Sequence, residues 1–200
     1  MNRIIVPGEV IAEKEIRMPY TYTENGKTYS TVLGIYEAEH SSIIPLEGLW
    51  SPNRDDDVVG IVEEDKGSVY IVDLNSPYTG VIISKFSQTE LAPGDVIYAK
   101  VKEFDEKKEV ILMHPRKLYG GKIINVKPSK VPRIIGNKNT MLNELIQGSK
   151  SNIIVGMNGM LWVKGGDVAL ATEAILKIQE EAHTQGLTDR IKKMFEKTGV

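Results

Sequence analysis

The side chains that could activate water or hold a metal ion are not arranged for either task in the sequence. Two acidic runs, residues 55–57 and 63–65, stand in stretches typical of turns. Paired carboxylates can hold Mg²⁺ in a nuclease, but adjacent carboxylates in turns are more often only solvated. His40, His114 and His183 have no nucleophile or carboxylate partner at a motif spacing. The residues therefore predict no catalytic site, cofactor or metal, and a metal-dependent ribonuclease remains the enzymatic alternative.

A glycine-bearing stretch, SNIIVGMNGMLWVKGG at residues 151–166, could be a phosphate-binding loop or a tight turn. A phosphate loop of the known strand-loop-helix kind needs a helix after its glycines, whereas MLWV is β-prone. An Asn-Gly pair between two β-prone runs is typical of a two-residue type I′ hairpin, in which both positions have positive φ. We therefore predict a structural hairpin motif at Gly156, Asn158 and Gly159 without a ligand. Trp162 is expected in a core or between domains.

The composition is that of a globular, multidomain chain. Its 200 residues are 41% hydrophobic, which suffices for one large or two to three small domains. The absence of cysteine excludes disulfides and thiolate metal sites. No apolar run approaches ~18 residues, the minimum for a membrane span. We therefore expect a soluble, cytoplasmic protein that has neither a signal peptide nor membrane contact.

The formal net charge of −2 is unevenly distributed along the chain. Residues 1–53 contain 4 Lys and Arg against 7 Asp and Glu, and residues 54–117 contain 9 against 13. Residues 118–200 reverse the balance, with 12 against 7. Only this last segment is expected to attract polyanions such as nucleic acids, unless the asymmetry is merely that of an uneven solvated surface.

Two β-rich segments precede the basic one. Residues 1–53 contain short β-type runs broken by Pro and Gly, with ENGK at residues 24–27 as a hairpin turn, which predicts a small N-terminal β domain. Residues 54–117 contain five strand signals at regular spacing, which favour a closed OB-fold barrel over an open sheet. This pattern resembles the S-one domain, an OB-type RNA-binding module. The matching residues are Gly60 with Val62, 69–72, Gly80 with Val81, and 94–96.

Residues 118–200 are predicted to form an α+β domain, whose elements come after HPRKLYGG (residues 114–121), which we interpret as a basic hinge. A strand at KIINV is followed by two helices that are expected to stop at Gly136 and Gly148, and then by the hairpin. An amphipathic helix with Asp167 as its N-cap comes next, then a short final helix. The order βααββα is that of the K-homology (KH) fold. That fold clamps about four nucleotides with a GXXG loop between its first two helices.

Candidate RNA-binding residues lie in both of these predicted domains. The GXXG position is occupied by residues 136–139, in which Asn139 replaces the second glycine. An RNA-contacting loop and a plain turn between helices both remain open. On the barrel, base stacking and phosphate contacts require aromatic and basic side chains on the second to fourth strands. The candidates are Lys130, Arg133, Gly136, Asn137, Lys138 and Asn139 in the KH segment, and Tyr70, Tyr78, Lys85, Phe86, Lys100 and Lys102 in the barrel segment.

A small N-terminal β domain, an S-one domain and a KH domain bearing Gly-x-Asn-Gly together resemble the archaeal exosome cap subunit that pairs S-one with KH. The resemblance implies three copies on a six-membered ring of RNase PH-like subunits, together with other cap subunits. Such copies recruit single-stranded RNA and guide its 3′ end into a phosphorolytic chamber, with residues 1–53 docked on the ring. An S-one/KH transcription or translation factor is the alternative, although the elongation-factor family of that kind normally continues into a second KH domain.

Overall fold

The structure, a computed structural model, describes residues 2–16, 18, 20–37, 42–45, 48–87, 89–105, 108–182, 184 and 186–198. The chain divides into two compact units, Met1–Leu49 and Trp50–Val200. His40 and His183, two of the isolated histidines, lie outside the described residues. Within the described ranges, none of the helices combines the length and the apolar character that crossing a bilayer requires.

The first unit consists of two small antiparallel sheets, with strand orders β1-β5-β6 and β2-β4-β3. Buried Ile5, Ile11 and Ile43 pack together. The predicted ENGK hairpin is confirmed, because Asn25 and Gly26 both have positive φ, at 50° and 76°, as a type I′ turn requires. The strands are β1 (Asn2–Ile5), β2 (Val10–Ala12), β3 (Thr21–Glu24), β4 (Lys27–Ser30), β5 (Gly34–Glu37) and β6 (Ser42–Pro45).

The second unit begins with a closed five-stranded barrel, as predicted. The hydrogen-bonded strands follow the order β10-β11-β9-β8-β7 around the barrel. The pair β11-β9 is parallel and the other pairs are antiparallel. Glycine is required at two crowded points around Val72. A Cβ at Gly60 would lie 2.5 Å from Val72 Cγ1, and one at Gly80 would lie 3.0 Å from Val72 Cβ. The strands are β7 (Asp57–Asp65), β8 (Val69–Asp73), β9 (Thr79–Ile83), β10 (Val96–Phe104) and β11 (Glu109–Leu118).

The predicted basic hinge at HPRKLYGG is wrong, because β11 continues through most of it to Leu118. Met113 pairs with Lys100 and Arg116 pairs with Tyr98, so two residues of β11 stand where β10 has one. The resulting β-bulge places His114 at a φ of 52° and accommodates Pro115, which a regular central strand would exclude. The turn after β11 is made by the two glycines that follow Tyr119.

The rest of the second unit has the predicted order βααββα, followed by one more helix. The three strands form a sheet of order β12-β14-β13, and buried residues of the helices, such as Leu145, Ile175 and Ile191, belong to one core with the sheet. The predicted N-cap is confirmed, since Asp167 Oδ1 accepts the Leu170 N–H at 2.9 Å. The elements are β12 (Lys122–Asn125), α1 (Val131–Ile135), α2 (Thr140–Ser149), β13 (Asn152–Val155), β14 (Met160–Lys164), α3 (Val168–Glu180) and α4 (Leu187–Thr198).

Gly148 does not stop α2, contrary to the prediction from sequence. The helix includes Gly148 and ends at Ser149. Lys150, the next residue, adopts a left-handed conformation. A Cβ at Gly148 would overlap the ring of Phe195 on α4. The glycine therefore serves the packing of α4 against α2 rather than the end of a helix.

Candidate nucleic-acid interface

The Gly-x-Asn-Gly motif forms the hairpin loop between β13 and β14, but this loop differs from the predicted two-residue turn. It contains four residues, 156–159, in which the Gly159 N–H donates to Gly156 O at 3.0 Å. Gly159 has a φ of 85°, whereas Asn158 is not among the described residues with positive φ. The loop is therefore not type I′, and the reason lies in the contacts of the Asn158 side chain.

The Asn158 amide is fully buried and links the hairpin to the barrel. Its Nδ2 donates to Val59 O at 2.7 Å and to Leu74 O at 2.9 Å, and its Oδ1 accepts the Val59 N–H at 3.3 Å. The Met157 N–H adds a donation to Asp57 O at 2.7 Å. One amide carries two N–H donors and an acceptor, whereas a hydroxyl carries a single donor and an ionised carboxylate carries none. These bonds fix the KH-type region, residues 122–198, on the barrel.

An apolar cluster surrounds this joint. Val59 of the barrel packs with Met160 and Trp162 of β14, all of them buried. The indole Nε1 of Trp162 donates to Gly120 O at 2.6 Å. Trp162 therefore lies between the barrel and the KH-type region, one of the two positions expected from sequence. Partly buried members of the cluster are Ile61, Val96, Leu118, Ile123 and Ile154.

The loop that occupies the GXXG position joins α1 to α2. Gly136 has a φ of 72° and little free space, since a Cβ there would lie 2.7 Å from Met141 N. Asn139 adopts the left-handed conformation, with φ 62° and ψ 20°. Asparagine tolerates this conformation better than most residues, so the replacement of glycine leaves a left-handed backbone in place.

The loop presents polar side chains to solvent. Asn137, Lys138 and Asn139 are exposed. Lys138 also has a positive φ, 49°, and among the described residues it has no ion-pair partner. The nearby cations differ from it, because Arg133 donates to Thr184 O at 3.1 Å and Lys130 is half-buried. Of these three cations, Lys138 is thus the one that is both exposed and without a partner in the part of the chain that the structure describes.

The structure does not support Tyr70 as a stacking residue on the barrel. Only 7% of its surface is exposed, and it packs within the barrel core. Tyr78 is half-buried, and its ring meets the Trp50 ring edge-on, with 6.0 Å between centroids. Lys85 is exposed, and the side chain of Phe86 lies outside the described part.

The two lysines on β10 are engaged with carboxylates. Lys100 Nζ lies 2.7 Å from Asp57 Oδ1, and this hydrogen bond raises the pKa of Lys100. Lys102 Nζ lies 3.6 Å from Glu103 Oε1. All four side chains are at least partly exposed, and such pairs contribute little to stability. The carboxylates nevertheless offset the positive charge that these lysines would offer to RNA.

The first acidic run has structural contacts rather than a metal-binding arrangement. Asp56 Oδ2 accepts from Trp50 Nε1 and from the Asn53 N–H, each at 3.0 Å. Asp57 Oδ1 accepts from the Tyr98 hydroxyl as well as from Lys100. Across the described ranges, no three His, Cys, Asp or Glu side chains gather closely enough to hold a metal ion. These contacts favour the structural interpretation of residues 55–57.

A further group of aromatic and basic side chains escaped the sequence analysis because most of it lies in the segment interpreted as a hinge. The Arg116 guanidinium lies 4.5 Å from the centroid of the Tyr98 ring. Tyr119 is 65% exposed, and the Lys117 ammonium lies 5.6 Å from its ring centroid. The signal that could have identified this group is KLYGGK, an aromatic residue flanked by lysines and glycines.

Comparison with protein-family models gives two matches. Residues 121–169 match the model described as KH domain. Residues 2–47 match the model described as the N-terminal domain of the exosome RNA binding protein RRP4. The two matches fall in the KH-type region and in the first compact unit, respectively.

Comparisons with whole proteins extend over nearly the entire chain. The chain is 38% identical to the exosome complex component Rrp4 of Pyrococcus abyssi, with 97% of this chain and 82% of that protein covered. It is 37% identical to the Rrp4 component of Methanothermus fervidus, with 96% and 94% covered. A crystal structure of a candidate exosome complex RNA-binding protein superimposes with a TM-score of 0.67 at 34% identity, covering 75% of this chain and 97% of that one.

Proposed function

We propose that the chain, which belongs to the Rrp4 family of exosome complex components, is a noncatalytic subunit that recruits single-stranded RNA and guides its 3′ end into a phosphorolytic chamber. The observation that carries this proposal is the buried Asn158 amide, which binds the barrel to the KH-type region. Two modules held in one body lose little conformational freedom when both contact one RNA strand. A rigid pair of this kind is suited to directing a strand rather than only tethering it.

The segments of the chain differ in charge and in exposed apolar surface, and they are therefore proposed to bind different partners. Residues 1–53 are acidic, and their Ile4 and Val6 side chains are 68% and 50% exposed, which suits a protein partner better than RNA. They dock on a ring of RNase PH-like subunits, with three copies per ring and other cap subunits alongside. Residues 54–117 and 118–200 contact RNA. The excess of basic residues in the last segment supplies electrostatic attraction to the RNA phosphates.

Reconstitution with a phosphorolytic RNase PH-like ring tests this function. The full chain alone, with Mg²⁺ or phosphate, is expected to leave a labelled single-stranded RNA intact. Added to the ring, it is expected to increase both RNA capture and the rate of phosphate-dependent degradation, measured on gels. Ribonuclease activity of the chain without the ring, or no change in the activity of the ring, would contradict the proposal.

The loop at residues 136–139 is proposed to contact the RNA backbone through Lys138. Replacing Lys138 by alanine is expected to weaken binding and to lower the log-log salt slope by roughly 0.7, the contribution of one phosphate contact on a single strand. The measurement is fluorescence anisotropy with a labelled oligonucleotide at several salt concentrations. Lys14→Ala, an exposed lysine of the first unit, is the matched control and should leave the slope unchanged. Equal salt slopes for wild type and Lys138→Ala would show that Lys138 contacts no phosphate and that the loop is only a turn between helices.

A further inference from the structure

Tyr119 is an exposed aromatic side chain in the turn that joins the barrel to the KH-type region. Its residue is 65% exposed, although it stands between two well-packed bodies. An exposed ring buries little apolar area and so contributes little to folding. A free aromatic face is, however, what an unpaired base stacks on.

The backbone around Tyr119 is held in place by β14. Lys164 Nζ donates to Tyr119 O at 2.7 Å, and Trp162 Nε1 donates to Gly120 O at 2.6 Å. Gly120 and Gly121 both have positive φ, and a Cβ at Gly121 would lie 2.7 Å from the Trp162 Nε1. The turn is therefore fixed against the Trp162 indole. A ring on a fixed backbone loses less freedom on binding a ligand than one on a mobile loop.

Two ammonium groups accompany the ring. The Lys117 Nζ lies 5.6 Å from the ring centroid and 2.6 Å from Asp95 Oδ2. The hydrogen bond with Asp95 raises the pKa of Lys117, which keeps its charge at neutral pH but shares it with a carboxylate. Lys164 differs, because its contact is a neutral carbonyl and no carboxylate among the described residues pairs with it. Glu90 is a second carboxylate near Lys117, so Lys164 supplies the positive charge of this patch that carboxylates do not offset.

We infer that Tyr119, Lys117 and Lys164 form a stacking subsite for one unpaired nucleotide of single-stranded RNA. The base stacks on the ring of Tyr119, and the ammonium groups contact the flanking phosphates. The inference rests on the proposed RNA-binding function and adds to it a subsite distinct from the loop at residues 136–139. A single ring among cations fits a nucleotide better than a protein, since protein interfaces need a larger contiguous surface.

Binding of a fluorescein-labelled oligouridine to the full chain tests the subsite. We expect Tyr119→Ala to raise the Kd by about 5- to 150-fold, the range for loss of one stacked base. Tyr119→Phe keeps the ring and should bind like wild type. Tyr22→Ala, an exposed aromatic of the first unit that is 43% exposed, is the matched control and should also bind like wild type. Thermal unfolding should be unchanged in Tyr119→Ala.

A photocrosslinking experiment locates the contact directly. An oligonucleotide containing 5-iodouridine, irradiated with the wild-type chain, is expected to yield a crosslinked peptide that contains Tyr119, identified by mass spectrometry. The same irradiation of Tyr119→Ala should lose that peptide. A crosslink that maps only to other peptides would overturn the inference.

The outcomes separate the subsite from the overall function. If wild type binds the RNA and Tyr119→Ala binds equally well, the subsite is refuted and the proposed function stands. If wild type binds no RNA, the proposed function fails and the subsite with it. Tyr119→Ala could also keep its RNA affinity but bind the RNase PH-like subunits more weakly. The aromatic side chain of Tyr119 would then contact protein instead of RNA. Equal losses in Tyr119→Phe and Tyr119→Ala would assign the effect to the hydroxyl and refute stacking.

Discussion

Replacing Asn158 by alanine will destabilise the second compact unit by about 3 kcal/mol or more. The substitution removes the two donations to Val59 O and Leu74 O and the acceptance from the Val59 N–H, all in a buried position. Each buried polar group left without such a partner costs about 1–3 kcal/mol. Urea unfolding followed by circular dichroism measures the loss as a lower midpoint.

Asn25→Ala is the matched control for this substitution, because Asn25 also precedes a glycine in a hairpin. It lies in the exposed type I′ turn of the first unit, so the change should cost only the left-handed preference of one residue, about 1 kcal/mol. Asn158→Asp, which nearly preserves shape, should destabilise as well, since it places a carboxylate oxygen opposite two carbonyls. If Asn25→Ala and Asn158→Ala lose similar free energies of unfolding, the buried amide stabilises the protein no more than an exposed turn residue does, and the prediction fails.

Gly159→Ala is expected to destabilise the fold by about 3 kcal/mol, and valine at this position by more. At a φ of 85° an L-residue pays roughly 1–2 kcal/mol, and the new Cβ would overlap Val126 O and lie 3.2 Å from Pro128 Cδ. Forced overlap in a packed site adds about 1–3 kcal/mol. Shifts of the thermal midpoint and of the urea midpoint measure this loss of stability.

Gly165→Ala separates the two contributions at Gly159. Gly165 has a similar φ, 74°, but a Cβ there meets nothing within 4 Å. Its substitution should therefore show the backbone preference alone, roughly 1–2 kcal/mol. If the two alanine variants unfold at the same urea concentration, the close approach of Val126 O has no energetic consequence and the prediction fails.

Local signals in the sequence determined much of the architecture. The Asn25-Gly26 turn follows from the φ preference of two adjacent residues, and the Asp167 cap follows from a side chain that reaches a backbone N–H three residues on. The five regularly spaced strands and the order βααββα follow from hydrophobic periodicity and turn residues. All of these depend on interactions between residues close together along the chain.

Only the tertiary structure decided which side chains are free to act. Tyr70 has the residue type of a stacking platform but belongs to the barrel core, whereas Tyr119, in the segment interpreted as a hinge, is exposed. Gly148 has the residue type of a helix stop, yet it lies inside α2 because Phe195 of α4 packs against it. Burial depends on distant segments, and periodicity within one segment does not identify its partners.

The two Asn-Gly pairs show this difference most directly. Asn25-Gly26 is exposed and forms the turn that its local preference predicts. Asn158-Gly159 has the same residues but a different backbone, because the Asn158 amide bonds Val59 and Leu74, 99 and 84 residues away in the sequence. Buried hydrogen bonds of this kind outweigh a φ preference of about 1 kcal/mol. The dipeptide determined that a hairpin forms at each place, and the long-range bonds decided its geometry at the second.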